Sequence, residues 1–308
     1  MSERENILQN SNQSISFVVP LYNQEQYVLE CLNSLFRVRN VNVQVVIIDD
    51  SSKDNSAAVV DKWISENSRE NFEIIFLKNE TNSGVCKTLN RGVKASKYDI
   101  INICAADDFM LPDSIPNKLE FLNSHKYDAL ISDVCIINNE SEITHESGFL
   151  SYFNANAKAL AEDKLLIGEI VTNWCVPGPC LLIKKKAYDV IGYYDPQLIA
   201  EDRDFYLRLL RGVKVHFDFL PIAAYRVHNT NISRESTFRK KMNHEIRVVN
   251  AGYANQWSGL NRLFLKTYSL GLNDSNRISK KISLLIGAAL RKLLRLVFNF
   301  KVLVTYGK

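Results

Sequence analysis

Two adjacent carboxylates, Asp107 and Asp108, follow the apolar run Ile100-Ile101-Asn102-Ile103-Cys104, where a buried strand would emerge from a sheet. Like charges at such a place repel each other unless a cation or a hydrogen-bond donor offsets them. Hard divalent ions bind through one or two carboxylates plus substrate phosphates, so the pair points first to a metal that holds a phosphorylated substrate. A helix cap is the competing reading, because Asp often stands just ahead of a helix. A second acidic pair, Asp49-Asp50, ends the run VQVVIID, and a third, Glu201-Asp202, opens an amphipathic stretch carrying Phe205, Leu207, Leu209 and Leu210. An acidic first turn also suits the helix dipole, which is compatible with a chemical role.

The elements that must position these groups are legible in the apolar pattern. Short Val- and Ile-rich runs at 15–20, 43–49, 73–78 and 99–105 predict buried strands, and amphipathic stretches at about 24–38, 54–68 and 83–96 predict helices between them. Strands joined by helices run parallel with right-handed crossovers, which makes the fold class α/β with a Rossmann-like, mostly parallel central sheet. Ligands of such sheets lie beyond the carboxyl ends of the strands. Tyr22, Asp49 to Ser52, Asn82 to Gly84, and Asp107-Asp108 all fall there. Further strands are predicted at 127–137, 175–184 and 213–219, with an irregular connection over 140–172 that holds a helix near 154–167. From Ser236 onward the pattern is helical throughout.

Composition excludes several classes. With 46% hydrophobic and 23% charged residues the chain is globular. Its net charge of +4 is a property of the C-terminal end: of 38 Lys and Arg, eight lie in 277–308, which leaves 30 basic against 34 acidic residues in 1–276. A body without a basic face is not a nucleic-acid binder. Six scattered cysteines (31, 86, 104, 135, 175 and 180) without CxxC spacing read as buried free thiols in a reducing compartment. The polar start MSERENILQNSNQS lacks a signal-peptide core, so the expected location is cytoplasmic with a poorly ordered N-terminus over 1–13.

Five strings in order resemble the motifs of inverting glycosyltransferases of family 2, which have the GT-A fold. They are VVPLYNQEQYV (18–28), VIIDDSSKDNS (46–56), NETNSGVCKTLNRGVKAS (79–96), AADDFMLPD (105–113), and the run from Gly178 to Leu209 with GYYDPQLIAEDRDFYLRL. The resemblance covers about 15–230. It implies a GT-A catalytic domain over 14–235 and a helical region over 236–308, with a boundary near 232–238. By that resemblance Pro20 and Tyr22 line the base pocket, and Asp49 and Asp50 hold the uracil or thymine imide and the ribose. Asn82, Gly84 and Lys87 open a helix whose amides suit a diphosphate. Asp107 faces the ribose or sugar, while Asp108 ligates Mn²⁺ or Mg²⁺, with His228 as a further metal or diphosphate contact. Glu201-Asp202 matches the family's ED element: Asp202 is the base that takes the acceptor proton, and Glu201 contacts the acceptor hydroxyl.

The segment 278–304 is a second signal. On a helix, Lys281, Ala288, Lys292, Arg295 and Asn299 form one stripe beside Arg291, and Leu285, Ile286, Leu290, Leu293, Leu294, Val297 and Phe298 cover the rest. Its charges interrupt the ~18 apolar residues that a spanning helix needs. The expectation is a peripheral helix whose basic stripe docks on the anionic inner face of the plasma membrane. A helix packed on the body, or on a second copy in a homodimer, is the competing reading. The expected reaction is transfer of a sugar from a UDP- or dTDP-sugar to a lipid-linked glycan in a bacterial surface polysaccharide such as an O-antigen or capsule. A nucleotide-sugar-forming nucleotidyltransferase would instead want a Gly-rich basic loop after the first strand, and a non-catalytic sugar-nucleotide-binding subunit of an assembly complex would not need Asp108 and Asp202.

Overall fold

A computed structural model describes residues 13–228 and 236–306. The expected tail over 1–13, apart from its last residue, and part of the boundary near 232–238 lie outside the described residues. The chain divides into two compact units that interleave along the sequence. The first takes the chain up to Gly148 with Pro177–Pro196 and Gly212–Val227; the second takes Phe149–Val176, Gln197–Arg211 and the chain from His228. One cut at 235 does not describe this division. The stretches 149–176 and 197–211 go with the C-terminal helices because side chains on those helices satisfy their buried polar groups, as shown below.

The first unit is built on one sheet. Strands β1 (Ser14–Leu21), β2 (Asn42–Asp49), β3 (Phe72–Lys78) and β4 (Ile100–Ile103) pair in parallel in the order β3-β2-β1-β4. Helices α1 (Val28–Phe36), α2 (Ser56–Glu66) and α3 (Val85–Ala95) make the crossovers. The order turns around at β1, so the crevice for a ligand lies beyond the carboxyl ends of β1 and β4. Strands β1, β2 and β4 are buried on both faces, β2 at every residue after Asn42, while the edge strand β3 is half-buried. This is why they read as continuous apolar runs and not as alternation. Gly92 on α3 sits against Val18 and Ile48, where an added methyl group would overlap both, so the helix lies directly on β1 and β2.

Beyond β4 the sheet continues through β8 (Leu181–Lys184), β6 (Ala129–Ile137), β9 (Val215–Arg226) and β5 (Phe109–Met110), with β7 (Ile143–His145) on β6. Strand β8 is antiparallel to both β4 and β6, while β6 and β9 are parallel. The expected strand at 175–184 is shortened because Pro177 and Pro179 cannot donate to a ladder. The expected strand at 213–219 is lengthened to Arg226 across a register shift opposite Ser132 and Val134, where Phe219 and Leu220 are pushed out into solvent. The short β5 and β7 have no apolar run of their own and escape a sequence reading. The remaining helices of this unit are α4 (Ile115–Ser124) and α7 (Ala187–Ile191). All six cysteines are buried and unbridged.

The second unit is helical: α5 (Ala157–Leu160), α6 (Asp163–Thr172), α8 (Glu201–Gly212, its last residue in the first unit), α9 (Ser236–Tyr253), α10 (Gly259–Lys266) and α11 (Arg277–Tyr306). Phe298 and Val302 of α11 pack with Ala159 and Leu165, covered by Leu260, and Gly168 leaves room for the Phe298 ring. Fully buried Glu169 accepts two hydrogen bonds from Arg295, at 2.5 Å each, and Arg295 also donates to Thr172 Oγ1 at 3.0 Å. Asn299 meets Asn156 at 3.3 Å, and the Arg291 guanidinium lies 4.2 Å from the Tyr268 ring centroid. This corrects the expected docking face. Arg291, Arg295 and Asn299 are turned into their own unit, because a buried Glu169 needs a paired cation far more than a membrane surface does. The exposed side of α11 is instead apolar: Leu285, Leu293, Leu296, Phe300, Leu303 and Val304 are all more than half exposed. No helix among the described residues is long and apolar enough to cross a membrane.

Candidate active site

The first unit brings Pro20, Tyr22, Asp49, Asp50, Asn82, Gly84, Lys87, Asp107 and Asp108 to the carboxyl ends of β1 to β4. Pro20 costs no hydrogen bond. The carbonyl of Val18 accepts from Cys104 N on the β4 side, and Pro20 faces that same side, beyond the last pair Val18 and Ile103. The following loop is fastened to the β2–α2 loop by reciprocal bonds. Asn23 N donates to Ser52 Oγ (3.0 Å), Gln24 N to Ser56 Oγ (2.8 Å), Glu25 N to Asp54 Oδ2 (3.1 Å), Lys53 N to Asn23 Oδ1 (2.7 Å), and Asn55 N to Glu25 Oε2 (2.8 Å). Loss of hydration works to raise the Asp54 pKa, but the hydrogen bonds from Ser56 and Glu25 prevail and hold it below the ordinary value. The half-buried Tyr22 therefore stands on a braced loop.

Asp49 and Asp50 are both buried but differ in what they do. Among the described residues the Asp49 carboxylate accepts only from Ser52 N, at 3.2 Å. Asp50 uses both oxygens: Oδ1 accepts from Asn79 Nδ2 and Ser83 N, each at 2.7 Å, and Oδ2 accepts from Gly84 N at 2.9 Å. Asp50 thus ties the end of β2 to the loop that starts α3, and Asp49 is the less committed of the pair. Gly84 precedes α3 with φ of +82°, a conformation that glycine adopts without strain. Asn82 and Lys87 are exposed on this loop and first turn, beside amides that suit an anion.

Asp108 is 2% exposed. Its Oδ1 accepts from the backbone N–H of Arg226 at 2.8 Å. Burial, and then the neighbouring Asp107 charge, push its pKa well above the carboxylate range; the Arg226 N–H and guanidinium oppose them without cancelling them. A sequence reading misses Arg226, which is 1% exposed near the end of β9. Its Nε donates to the Asp107 carbonyl (2.8 Å), and its Nη1 to the carbonyls of Asn138 (2.8 Å) and Asn139 (3.1 Å) and to Ser141 Oγ (3.0 Å). Its Nη2 pairs with Glu30, and its guanidinium lies 4.7 Å from the Tyr27 ring centroid. The available signal was an arginine inside the apolar string PIAAYRVH.

Among the described residues no three His, Cys, Asp or Glu side chains gather as a metal cage. The donor chemistry at Asp108 nonetheless fits Mg²⁺ or Mn²⁺. Hard cations of this kind take one or two carboxylates and complete their shell with water and phosphate oxygens. A buried carboxylate whose pKa is driven upward is one that an added cation relieves.

The second unit carries Glu201, Asp202 and the buried His228. Glu201 and Asp202 begin α8. Loss of hydration, then the Asp202 charge, raises Glu201 to about 8, and partial loss of hydration raises Asp202, part of whose surface stays open to solvent, to about 6. The next residue, Arg203, is buried: Nε donates to Asn250 Oδ1 (2.8 Å), and Nη1 and Nη2 donate to the carbonyls of Ile170 (3.2 Å) and Val171 (2.8 Å). Asp204 and Arg208 form an i, i+4 ion pair, and Tyr253 donates to Asp204 Oδ1 at 2.8 Å.

Comparison with known proteins gives the fold and the family. A poly-beta-1,6-N-acetyl-D-glucosamine synthase of Staphylococcus aureus is 26% identical over 222 residues, 71% of this chain and 51% of the synthase. Its Staphylococcus epidermidis counterpart is 27% identical over 192 residues, 62% and 44% respectively. The chain spans about half the length of these curated relatives. Among solved structures, S. aureus TarS 1-349 in complex with UDP-GlcNAc superposes with a TM-score of 0.60 at 18% identity, covering 82% of this chain and 70% of that one. The mannosyltransferase PcManGT from Pyrobaculum calidifontis, in complex with GDP-Man and Mn²⁺, gives 0.61 at 14% identity over 94% and 80%. Both share the fold, that of GT-A glycosyltransferases. The profile described as Glycosyl transferase family 2 matches residues 16–192, and the chain therefore belongs to glycosyl transferase family 2.

Proposed function

We propose that this protein is an inverting, metal-dependent glycosyltransferase that moves a sugar from a UDP- or dTDP-sugar to a hydroxyl of a lipid-linked glycan. The product is a bacterial surface polysaccharide of the O-antigen or capsule class, made on the inner face of the plasma membrane. The observation that carries the reading is Asp108: a buried carboxylate at the turn-around of a parallel sheet, one oxygen fixed by Arg226 N–H and the other without a hydrogen bond among the described residues. The relatives support it, since TarS binds UDP-GlcNAc and the mannosyltransferase binds GDP-Man with Mn²⁺.

In this reading Tyr22 and Asp49 receive the base, and Asp107 the ribose or sugar. The α3 amides and Lys87 receive the diphosphate. Asp108 would hold a divalent cation, which when bound would supply neutralisation of the diphosphate charge. Asp202 accepts the acceptor hydroxyl proton as that oxygen bonds to the anomeric carbon. The bond from that carbon to the diphosphate oxygen breaks, the nucleoside diphosphate leaves with the electron pair, and the anomeric configuration inverts. Glu201, carrying its proton near neutral pH, orients the acceptor hydroxyl.

A panel of UDP-, dTDP- and GDP-sugars, assayed for release of nucleoside diphosphate with Mn²⁺, with Mg²⁺ and with EDTA, tests this. Turnover is expected with a uridine or thymidine donor and is lost in EDTA; turnover with GDP-sugars alone, or unchanged in EDTA, overturns it.

The membrane contact is proposed through the apolar face of α11. That face extends ~45 Å along the helix. At 100° per residue, Lys281 and Lys292 fall along one margin and Lys301 along the other, with no acidic residue after Asp274. This charge pattern matches anionic headgroups. The triple variant Leu285→Ser, Leu293→Ser, Phe300→Ser is expected to lose at least tenfold in cosedimentation with phosphatidylglycerol vesicles. Vesicle binding equal to wild type, or loss of a wild-type dimer in its place, overturns this docking.

A further inference from the structure

The residues on both sides of Glu201-Asp202 are gripped by one helix, α9. Glu245 Oε2 accepts from the N–H groups of both Ile199 and Ala200, each at 2.6 Å. One helical turn further along α9, Asn250 Oδ1 accepts from Arg203 Nε at 2.8 Å, and then Tyr253 donates to Asp204 Oδ1 at 2.8 Å. The first N–H groups of a helix have no partner within it, and here a carboxylate from another helix serves the chain as it enters α8. Nothing in the packing of α9 asks for an acid at this place, since Val249 and Asn250 supply its buried side and Glu245 is only half-buried. A neutral acceptor would satisfy the same N–H groups. A third negative charge beside two carboxylates instead carries an electrostatic cost, and its effect on Glu201 is upward.

We infer that Glu245 is a positioning residue of the transfer site, whose carboxylate fixes the start of α8 and whose charge acts on the Glu201-Asp202 pair. The inference rests on the proposed role of that pair. The charged and titratable groups around this turn are Glu245 and Tyr253 of α9, Arg203, Asp204 and Arg208 of α8, and Tyr268 and Cys175 beside Arg203. Among the described residues, only Glu245 combines a negative charge with bonds to the chain that leads directly into the pair.

Two readouts test it on the full chain. In protein carrying ¹³C-labelled Asp and Glu carboxyls, assigned with Glu201→Gln and Asp202→Asn, Glu245→Gln is expected to move the Glu201 titration to lower pH by half a unit or more. Hydrogen exchange at Ile199 and Ala200 is expected to accelerate at least tenfold in Glu245→Ala and less in Glu245→Gln. With the donor identified by the panel, the upper limb of the pH profile moves down in Glu245→Gln while UDP affinity stays within twofold of wild type. An unchanged Glu201 titration, or exchange equal to wild type in Glu245→Ala, overturns the inference. Full turnover in Asp202→Asn would instead defeat the base assignment and leave these two readouts standing, so the two failures are distinguishable.

Discussion

Asp202→Asn is expected to lower kcat for sugar transfer by roughly 10²–10⁴, the range that a positioned general base supplies, while UDP still binds as it does to wild type. Asparagine keeps the shape and removes the proton acceptor. The pH profile follows from the two raised values. Asp202 works as a carboxylate and loses its proton near 6, so turnover rises with pH through about 6. Glu201 holds its proton until about 8, and its ionisation removes a donor to the acceptor hydroxyl and adds a second negative charge, so turnover falls again through about 8. These are apparent values of a coupled pair. Glu201→Gln removes the upper limb and leaves the lower one. Stability has its own sign. Both carboxyls bind protons more tightly in the folded chain, so the stability they lend is complete below the ordinary carboxylate range and is lost as pH rises through 6 to 8. Asp202→Asn therefore melts no lower than wild type at pH 8, and a large fall in its melting temperature would mean that lost activity reports lost folding.

Arg226→Met is the second large effect. Its guanidinium serves the carbonyls of Asp107, Asn138 and Asn139, the Ser141 hydroxyl and Glu30, all within the first unit. Methionine fills much of the space but donates nothing, so the half-buried acceptors at Asp107, Asn138 and Ser141 lose their donor while the more exposed Asn139 and Glu30 turn to water. The expected loss is ~1–3 kcal/mol in urea unfolding, as for leaving partly buried acceptors without a donor. Arg226→Lys recovers part of it, since a single ammonium cannot reach a forked set of acceptors. Asp108 keeps its backbone N–H in both variants, yet the turn carrying Asp107 and Asp108 loses its anchor, so metal-supported UDP binding is expected to weaken at least tenfold in Arg226→Met. A loss below 1 kcal/mol with unchanged UDP binding would show that the Asp107-Asp108 turn holds itself.

What the sequence made legible, and what it hid, follow one rule. Parallel strands buried on both faces announce themselves as runs such as VQVVIID, and their order along the chain fixes where their carboxyl ends converge. Tyr22, Asp49 and Asp108 could be placed on that basis alone. The residues that hold the Asp107-Asp108 turn and the chain entering Glu201-Asp202 could not, because Arg226 and Glu245 act across separations of more than a hundred and of about forty-five residues, and no local pattern records such partners. Asp50 looked equivalent to Asp49, and only the loop from Asn79 to Gly84 distinguishes them. The α11 stripe was found correctly and turned the wrong way. Helical spacing gives which residues share a face, but the buried partner that claims that face, Glu169, lies 126 residues earlier.

The central claim is a division of labour, with donor binding at Asp108 and proton transfer at Asp202. Isothermal titration of UDP, with and without Mn²⁺, into wild type, Asp108→Asn and Asp202→Asn tests it most directly. The account predicts that Mn²⁺ strengthens UDP binding at least tenfold in wild type and in Asp202→Asn and not in Asp108→Asn. Mn²⁺-strengthened binding that survives in Asp108→Asn, or that disappears in Asp202→Asn, would contradict it.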